Sequence, residues 1–267
     1  MLADIMVSFV DFILAFIQAI LEWLPVSSEG FLVLTGVNFF DMTPLGAIRM
    51  AIYFHAGTAL AVFIKYWRDY WEALTKDREL LRFLIITTAF TGIVGIPIYL
   101  LLGELFTDAA GMVLTLLIGV TLLITGTLLR FGKLKATDTL TMQDRTIKDE
   151  IFLGFFQGFA ILPGISRSGT TVTYLLLRGY KKEAAFKMSF LISFPAVVGA
   201  IAFDLLFEEA PIIWGWDYLL IILFTTAVGY VTMNLLLKAA RKLSFDKICY
   251  GLGGITILLV VFFYIFA

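Results

Sequence analysis

Two short polar stretches interrupt an otherwise oily chain and constrain it more than any other feature. The first runs Gln18-Ala-Ile-Leu-Glu22-Trp-Leu-Pro25-Val-Ser27-Ser28-Glu29-Gly30. The second runs Gln157-Gly-Phe-Ala-Ile-Leu-Pro163-Gly164-Ile-Ser166-Arg167-Ser168-Gly169-Thr170-Thr171. Around them the 267 residues are 60% hydrophobic and only 15% charged, with mean hydropathy +0.95. A soluble domain carries nearer a quarter charged residues, so the chain reads as an all-α polytopic membrane protein. A membrane barrel would show short segments alternating with period two, whereas these runs are continuous. A charge at the centre of a membrane helix costs about 2.5–3.5 kcal/mol on insertion scales, which makes Glu22 and Arg167 functional by default. Each stretch also sets a Pro before hydroxyl residues and Gly, the pattern by which one helix stops and another starts.

Apolar spans fall at about 48–66, 83–102, 112–130, 187–206, 218–237 and 248–267. Each can cross a bilayer core at about 1.5 Å per residue. The segments holding the motifs, about 6–36 and 151–178, are split by Pro25 and Pro163 into halves of re-entrant length. Every Lys and Arg except Arg49 and Arg167 falls in four clusters, at 65–82, 130–148, 178–187 and 238–247. If both broken segments return to the side they entered from, all four clusters share one face. The loops at 103–111 and 207–217, which hold no Lys or Arg, then share the other. The positive-inside rule therefore predicts six transmembrane helices plus two re-entrant helix pairs, with both termini outside. Trp67 and Trp71 on one side, and Trp214 and Trp216 on the other, fit interfacial belts.

The order of elements repeats: a broken segment and three spans, twice over. Three crossings per unit is an odd number, so the second unit is inverted, a transporter-type architecture. The expected organisation is one membrane domain over 1–267, with repeat one at about 6–130, a linker at about 131–150 and repeat two at about 151–267. Gly154 and Gly158 form a small-xxx-small pair suited to close helix packing, and Pro97 and Pro195 are expected kinks. A net charge of −1 leaves no basic face for nucleic acid. The single Cys249 excludes an intrachain disulfide and reads as a packing residue. No basic region precedes the first apolar stretch, so no cleavable signal peptide is expected.

The chemistry lies in the breaks. Gln18 and Glu22 share one helical face, and Ser27, Ser28 and Ser166 stand where new half-helices begin and favour capping. Two half-helix N-termini facing each other offer free N–H groups and positive dipole ends to one anion. Arg167 adds a fork suited to phosphate oxygens, and Ser168, Thr170 and Thr171 add hydroxyl donors. Glu22 opposes such an anion unless it takes a proton or a divalent cation lies between them. The set suggests a phosphate or diphosphate held with Mg²⁺ or Ca²⁺.

Pro163-Gly164-Ile-Ser166-Arg167-Ser168-Gly169-Thr170-Thr171 resembles the PGxSRSxxT signature of the undecaprenyl-diphosphatase, or bacitracin-resistance, family. Gln18-x-x-x-Glu22 resembles that family's (E/Q)xxxE motif, and Leu24-Pro25-Val26-Ser27-Ser28 its LPVSS run. The resemblance implies a multi-pass plasma-membrane hydrolase that trims a polyprenyl diphosphate to the monophosphate lipid carrier of envelope biogenesis; a homodimer is left open. It places Gln18 and Glu22 near metal and diphosphate, with Ser28 as nucleophile and Arg167, Ser166, Ser168 and Thr171 as phosphate clamp. Many members carry a His in a TGH run where this chain has Glu29-Gly30-Phe31. Glu29 or the only histidine, His55, is then the candidate base. The rival expectation is a lipid-phosphate translocase on the same fold, motivated by the inverted repeat and the missing His.

Overall fold

The computed structural model describes residues 9–40, 42–105, 111–135, 138–207, 216–240 and 244–266. Within them the chain is helical, with no named strand. Residues 6–8, most of the 103–111 and 207–217 loops, Trp214, Arg241 and Lys242 lie outside the described residues.

The first motif segment is two helices, α1 (Phe9–Leu21) and α2 (Ser28–Phe39). Pro25 lacks an N–H and disfavours helix in the residue before it, so α1 cannot run on into α2. The second is α6 (Ile147–Gly158), a 3₁₀ turn at Phe159–Ile161, and α7 (Arg167–Leu177). Thr146 and Asp149 form a reciprocal capping box at the start of α6. The long helices are α3 (Pro44–Thr75), α4 (Arg78–Leu105), α5 (Gly111–Lys135), α8 (Lys182–Phe207), α9 (Trp216–Ala240) and α10 (Phe245–Phe266). Five of them, α3, α4, α5, α8 and α10, are long and apolar enough to cross a membrane. The sixth expected span coincides with α9, whose apolar stretch among the described residues is the shorter Tyr218–Met233. The chain is a membrane protein.

Around the expected linker at 131–150, α5 continues to Lys135 and α6 starts at Ile147. No proline or capping residue stops α5 at 130, and Gly132 instead lies flat against Thr173 of α7. Gly154 and Gly158 behave as their spacing predicts: a Cβ on Gly158 would run into Val94 of α4, and one on Gly154 would meet Phe90 at 2.9 Å. Pro195 leaves the Leu191 carbonyl without its helical partner, and Tyr70 Oη donates to it at 2.9 Å. Helix α6 packs on α4 and α1 on α9, α3 and α8 pack together, and α5 pairs with α10.

The outer end of α6 is tied down by charge. Asp149, buried, accepts from Arg178 Nε at 2.6 Å, Tyr180 Oη at 2.9 Å and Tyr174 Oη at 3.1 Å. Glu150 accepts from Arg82 Nη2 at 3.1 Å. Burial pushes the Asp149 carboxyl up, but hydrogen bonds from Arg178, Thr146 and Tyr180 outweigh it and hold the group down at about 2, against 3.8 ordinarily. A depressed pKa stabilises the fold above pH 3.8, and that contribution is lost as pH falls through about 2. Asp149→Asn should therefore lower stability at neutral pH by about 2–3 kcal/mol, the worth of hydrogen bonds to a charged group. Melting curves of both proteins in detergent should converge as pH falls through this window; a constant gap down to pH 2 would contradict the assignment.

Candidate active site

Each break is closed by a serine that caps the following helix. Ser27 Oγ accepts from the Gly30 amide at 3.0 Å, and Ser166 Oγ from the Gly169 amide at 3.1 Å. The breaks also meet each other, because Ser27 Oγ accepts from the Gly164 amide at 3.0 Å. A Cβ on Gly30 would come within 2.8 Å of the Gly164 nitrogen, so only glycine permits this approach. Gly164 has φ +96°, a left-handed conformation open to glycine. Two threonines of α5 hold its turn. Thr121 Oγ1 donates to the Pro163 carbonyl at 2.6 Å and Thr125 Oγ1 to the Gly164 carbonyl at 3.0 Å. The starts of α2 and α7 are thereby brought together.

Glu22, buried in the first break, joins the motifs. Its Oε2 accepts from Gln18 Nε2 at 2.9 Å and from Ser28 Oγ at 2.8 Å. His55 Nε2, from α3, lies 3.2 Å from the same oxygen. Its Oε1 pairs with Arg167 Nη2 at 2.5 Å. Arg167 is anchored a second time, Nη1 donating to the Ser189 carbonyl of α8 at 3.1 Å. His55 Nδ1 is 2.6 Å from the Ala51 carbonyl. A carbonyl only accepts, so Nδ1 carries a hydrogen, and Nε2 is left to share a proton with Glu22. The Glu22 carboxylate is thus met inside the protein by Arg167 and His55.

The remaining predicted residues take distinct places. Ser27, Ser28, Glu29, Ser166 and Ser168 line a small cavity of about 30 Å³ with Glu22, His55 and Arg167. Ser168 Oγ donates to the Leu24 carbonyl at 3.2 Å, across to the other break. Gln18 and Thr171 border neither this cavity nor the larger one beside it. Gln18 holds Glu22, while Thr171 Oγ1 donates to the Arg167 carbonyl at 2.7 Å and meets Ser189 Oγ at 2.7 Å. Thr171 therefore positions Arg167 and fastens α7 to α8. The small cavity adjoins a larger one of about 310 Å³, and Glu29, His55, Ala160 and Arg167 border both.

Several contributors escaped the sequence. Ser189, Thr121 and Thr125 gave no signal beyond being hydroxyl residues in apolar helices. Asp204 did give one, as an acid within an expected span, where ionisable groups are rare. It accepts from Tyr53 Oη at 2.7 Å and from Tyr99 Oη, with Arg49 Nε at 3.7 Å, and Tyr99 borders the larger cavity.

A family model described as bacitracin resistance protein BacA matches residues 11–255. The chain belongs to that family. A relative from Methanothrix thermoacetophila named undecaprenyl-diphosphatase is 42% identical over 247 residues, covering 92% of this chain and 94% of its own. Relatives of the same name from Haloarcula marismortui and Methanopyrus kandleri are 35% and 36% identical, covering 92% and 91% of this chain and 94% and 92% of theirs. The match spans both breaks.

The residues also bear on the divalent cation that the family resemblance implies. No group of three or more His, Cys, Asp or Glu suited to a metal occurs among the described residues, so the chain offers no closed cage. Glu22 is already surrounded by protein donors. Glu29 Oε1 and Gln18 Oε1 are buried oxygens with no hydrogen-bond partner among the described residues. Hard oxygens of this kind fit Mg²⁺ or Ca²⁺ shared with substrate phosphates, the usual mode for Mg²⁺.

Proposed function

We propose that this chain is an integral-membrane phosphatase that hydrolyses a polyprenyl diphosphate, of the undecaprenyl type, to the monophosphate. One observation carries the reading: Ser28 Oγ donates to Glu22 Oε2 at 2.8 Å while Arg167 pairs with the other oxygen of that carboxylate. A nucleophile, its base and a phosphate-binding cation thus share one carboxylate. The names of the relatives agree with this chemistry. A lipid carrier requires no such hydroxyl–carboxylate pair.

In this reading Ser28 Oγ attacks the terminal phosphorus and passes its proton to Glu22. The bond from that phosphorus to the bridging oxygen breaks, and the polyprenyl monophosphate departs with the proton. Water then attacks the phosphoseryl phosphorus, giving one proton to Glu22, which returns it to Ser28 as phosphate leaves. Arg167 and the first-turn N–H groups of α2 and α7 take the phosphoryl oxygens, where charge develops. His55, its Nδ1 fixed by the Ala51 carbonyl, keeps Glu22 oriented. Glu29, with Glu22 nearby, would hold a divalent cation, which when bound would neutralise phosphate charge.

The architecture suits the task. The exchange of partners, α1 on α9 against α6 on α4, supports an inverted repeat in which each broken pair dips into the membrane from its own side. Six spans, both termini outside and a plasma-membrane location complete the reading. Purified protein given farnesyl or undecaprenyl diphosphate with Mg²⁺ or Ca²⁺ should release one phosphate per lipid and leave the monophosphate. No phosphate release with either ion would refute it.

A further inference from the structure

The larger cavity has two chemically different ends. Its head end, bordered by Glu29, His55 and Arg167, is the phosphate site. From there it extends as an apolar cleft between α4 and α8, where Ile96 and Gly199 are exposed on the outer surface, so the cleft opens sideways. Three buried polar atoms in its wall, Glu29 Oε1, Gln157 Oε1 and Thr88 Oγ1, have no hydrogen-bond partner among the described residues. Buried polar atoms left unpaired in a wall call for a polar partner.

The glycines of the cleft carry the second observation. A Cβ on Gly199 would meet nothing within 4 Å, and one on Gly92 would meet only Ile96 Cδ1 at 3.8 Å. Neither has the positive φ that only glycine tolerates. Glycine inside a helix is less favourable than alanine, so neither helix geometry nor packing accounts for them. Gly154 and Gly158 of α6 differ, since other backbone lies where their side chains would be.

We infer that the α4–α8 cleft seats the isoprene units nearest the diphosphate, that Gly92 and Gly199 set its width, and that the rest of the chain leaves sideways into the bilayer. This rests on the phosphatase reading for the identity of the head group. The occupant follows from continuity: a ligand with phosphate at Arg167 and hydrocarbon attached can run along this apolar opening. A leucine side chain is a branched hydrocarbon of nearly one isoprene unit, so Gly199→Leu places in the cleft what the lipid would otherwise fill.

The test is steady-state kinetics on Gly199→Leu and Gly92→Leu, with Gly251→Leu as the control. Gly251 is equally open but borders neither cavity. For farnesyl diphosphate the two cleft variants should raise KM at least about tenfold, within the discrimination one or two methylenes give an apolar pocket. Their kcat should stay within about twofold, and the Gly251→Leu control should match the wild type. Inhibition by inorganic pyrophosphate, which reads the head end alone, should be unchanged. An unchanged KM, or a pyrophosphate constant that shifts in parallel, would overturn the assignment. If the wild type releases no phosphate, the phosphatase reading fails instead. The cleft is then read from the Kd of farnesyl phosphonate: a tenfold loss in Gly199→Leu supports it, and an unchanged value overturns it.

Discussion

Arg167→Ala is expected to lower kcat/KM by at least about 10³-fold and to destabilise the protein at the same time. The catalytic loss follows from removing the cation aimed at the phosphoryl oxygens, since deleting a single preorganised donor typically costs about 10²–10³ in rate. The destabilisation has another cause. Arg167 Nη2 meets Glu22 Oε1 at 2.5 Å, and without it Glu22 remains buried with less of its charge met. Removing one partner of a buried pair costs about 3–5 kcal/mol. The two effects separate in the double variant Arg167→Ala/Glu22→Gln, where no charge is stranded. Its melting temperature should recover most of the loss while activity stays absent. Arg167→Lys should keep the fold but lose much of the rate, because an ammonium cannot span Glu22, the Ser189 carbonyl and a phosphate together. Recovery of activity in the double variant would show that Arg167 serves only to balance Glu22.

Ser28→Ala should behave in the opposite manner: folded, and without turnover. Ser27, not Ser28, caps α2, so the helix start survives the change. Ser28 Oγ donates to Glu22, which keeps partners in Gln18, His55 and Arg167 when that hydroxyl is lost. Stability should thus change by about 1 kcal/mol or less, the net worth of one hydrogen bond. Phosphate release should fall by about 10³-fold or more, leaving what binding and electrostatic stabilisation provide alone. Ser27→Ala should give the reverse profile. It removes a cap and the bridge to the Gly164 amide, costing about 1–2 kcal/mol, yet it deletes no reacting group. If Ser28→Ala turns over normally, the nucleophile is water, and Ser28 only holds Glu22.

The two breaks were readable in the sequence because each departs from what a membrane helix tolerates. Pro25 and Pro163 end helices for reasons internal to the backbone, and Ser27 and Ser166 cap as short hydroxyl side chains do. The pairing of Glu22 with Arg167 was less accessible: the residues are far apart in the chain, and Glu22 was expected to face a phosphate through a cation or a proton. His55 was named as a candidate base, but its contact with Glu22 was hidden for a similar reason. It sits on α3, away from both motifs, and reaches Glu22 only because α3 packs beside α2, yet it puts an imidazole into the site where Phe31 offers none. Thr121 and Thr125 were illegible because membrane-helix threonines ordinarily bond their own preceding turn. Thr121 does that too, and adds the Pro163 carbonyl. Helix α5 runs past its apolar span to Lys135, and α6 starts at Ile147, since charge marks where a loop meets water rather than where a helix stops.

The attack of Ser28 on phosphorus is tested most directly by rapid acid quench of the wild type with farnesyl diphosphate labelled in its terminal phosphate, followed by mass spectrometry of the peptide spanning residues 22–30. Phosphate on Ser28, formed before free phosphate accumulates and missing from Ser28→Ala, is the predicted result. Free labelled phosphate appearing at full rate while that peptide stays unmodified at every time point would contradict it.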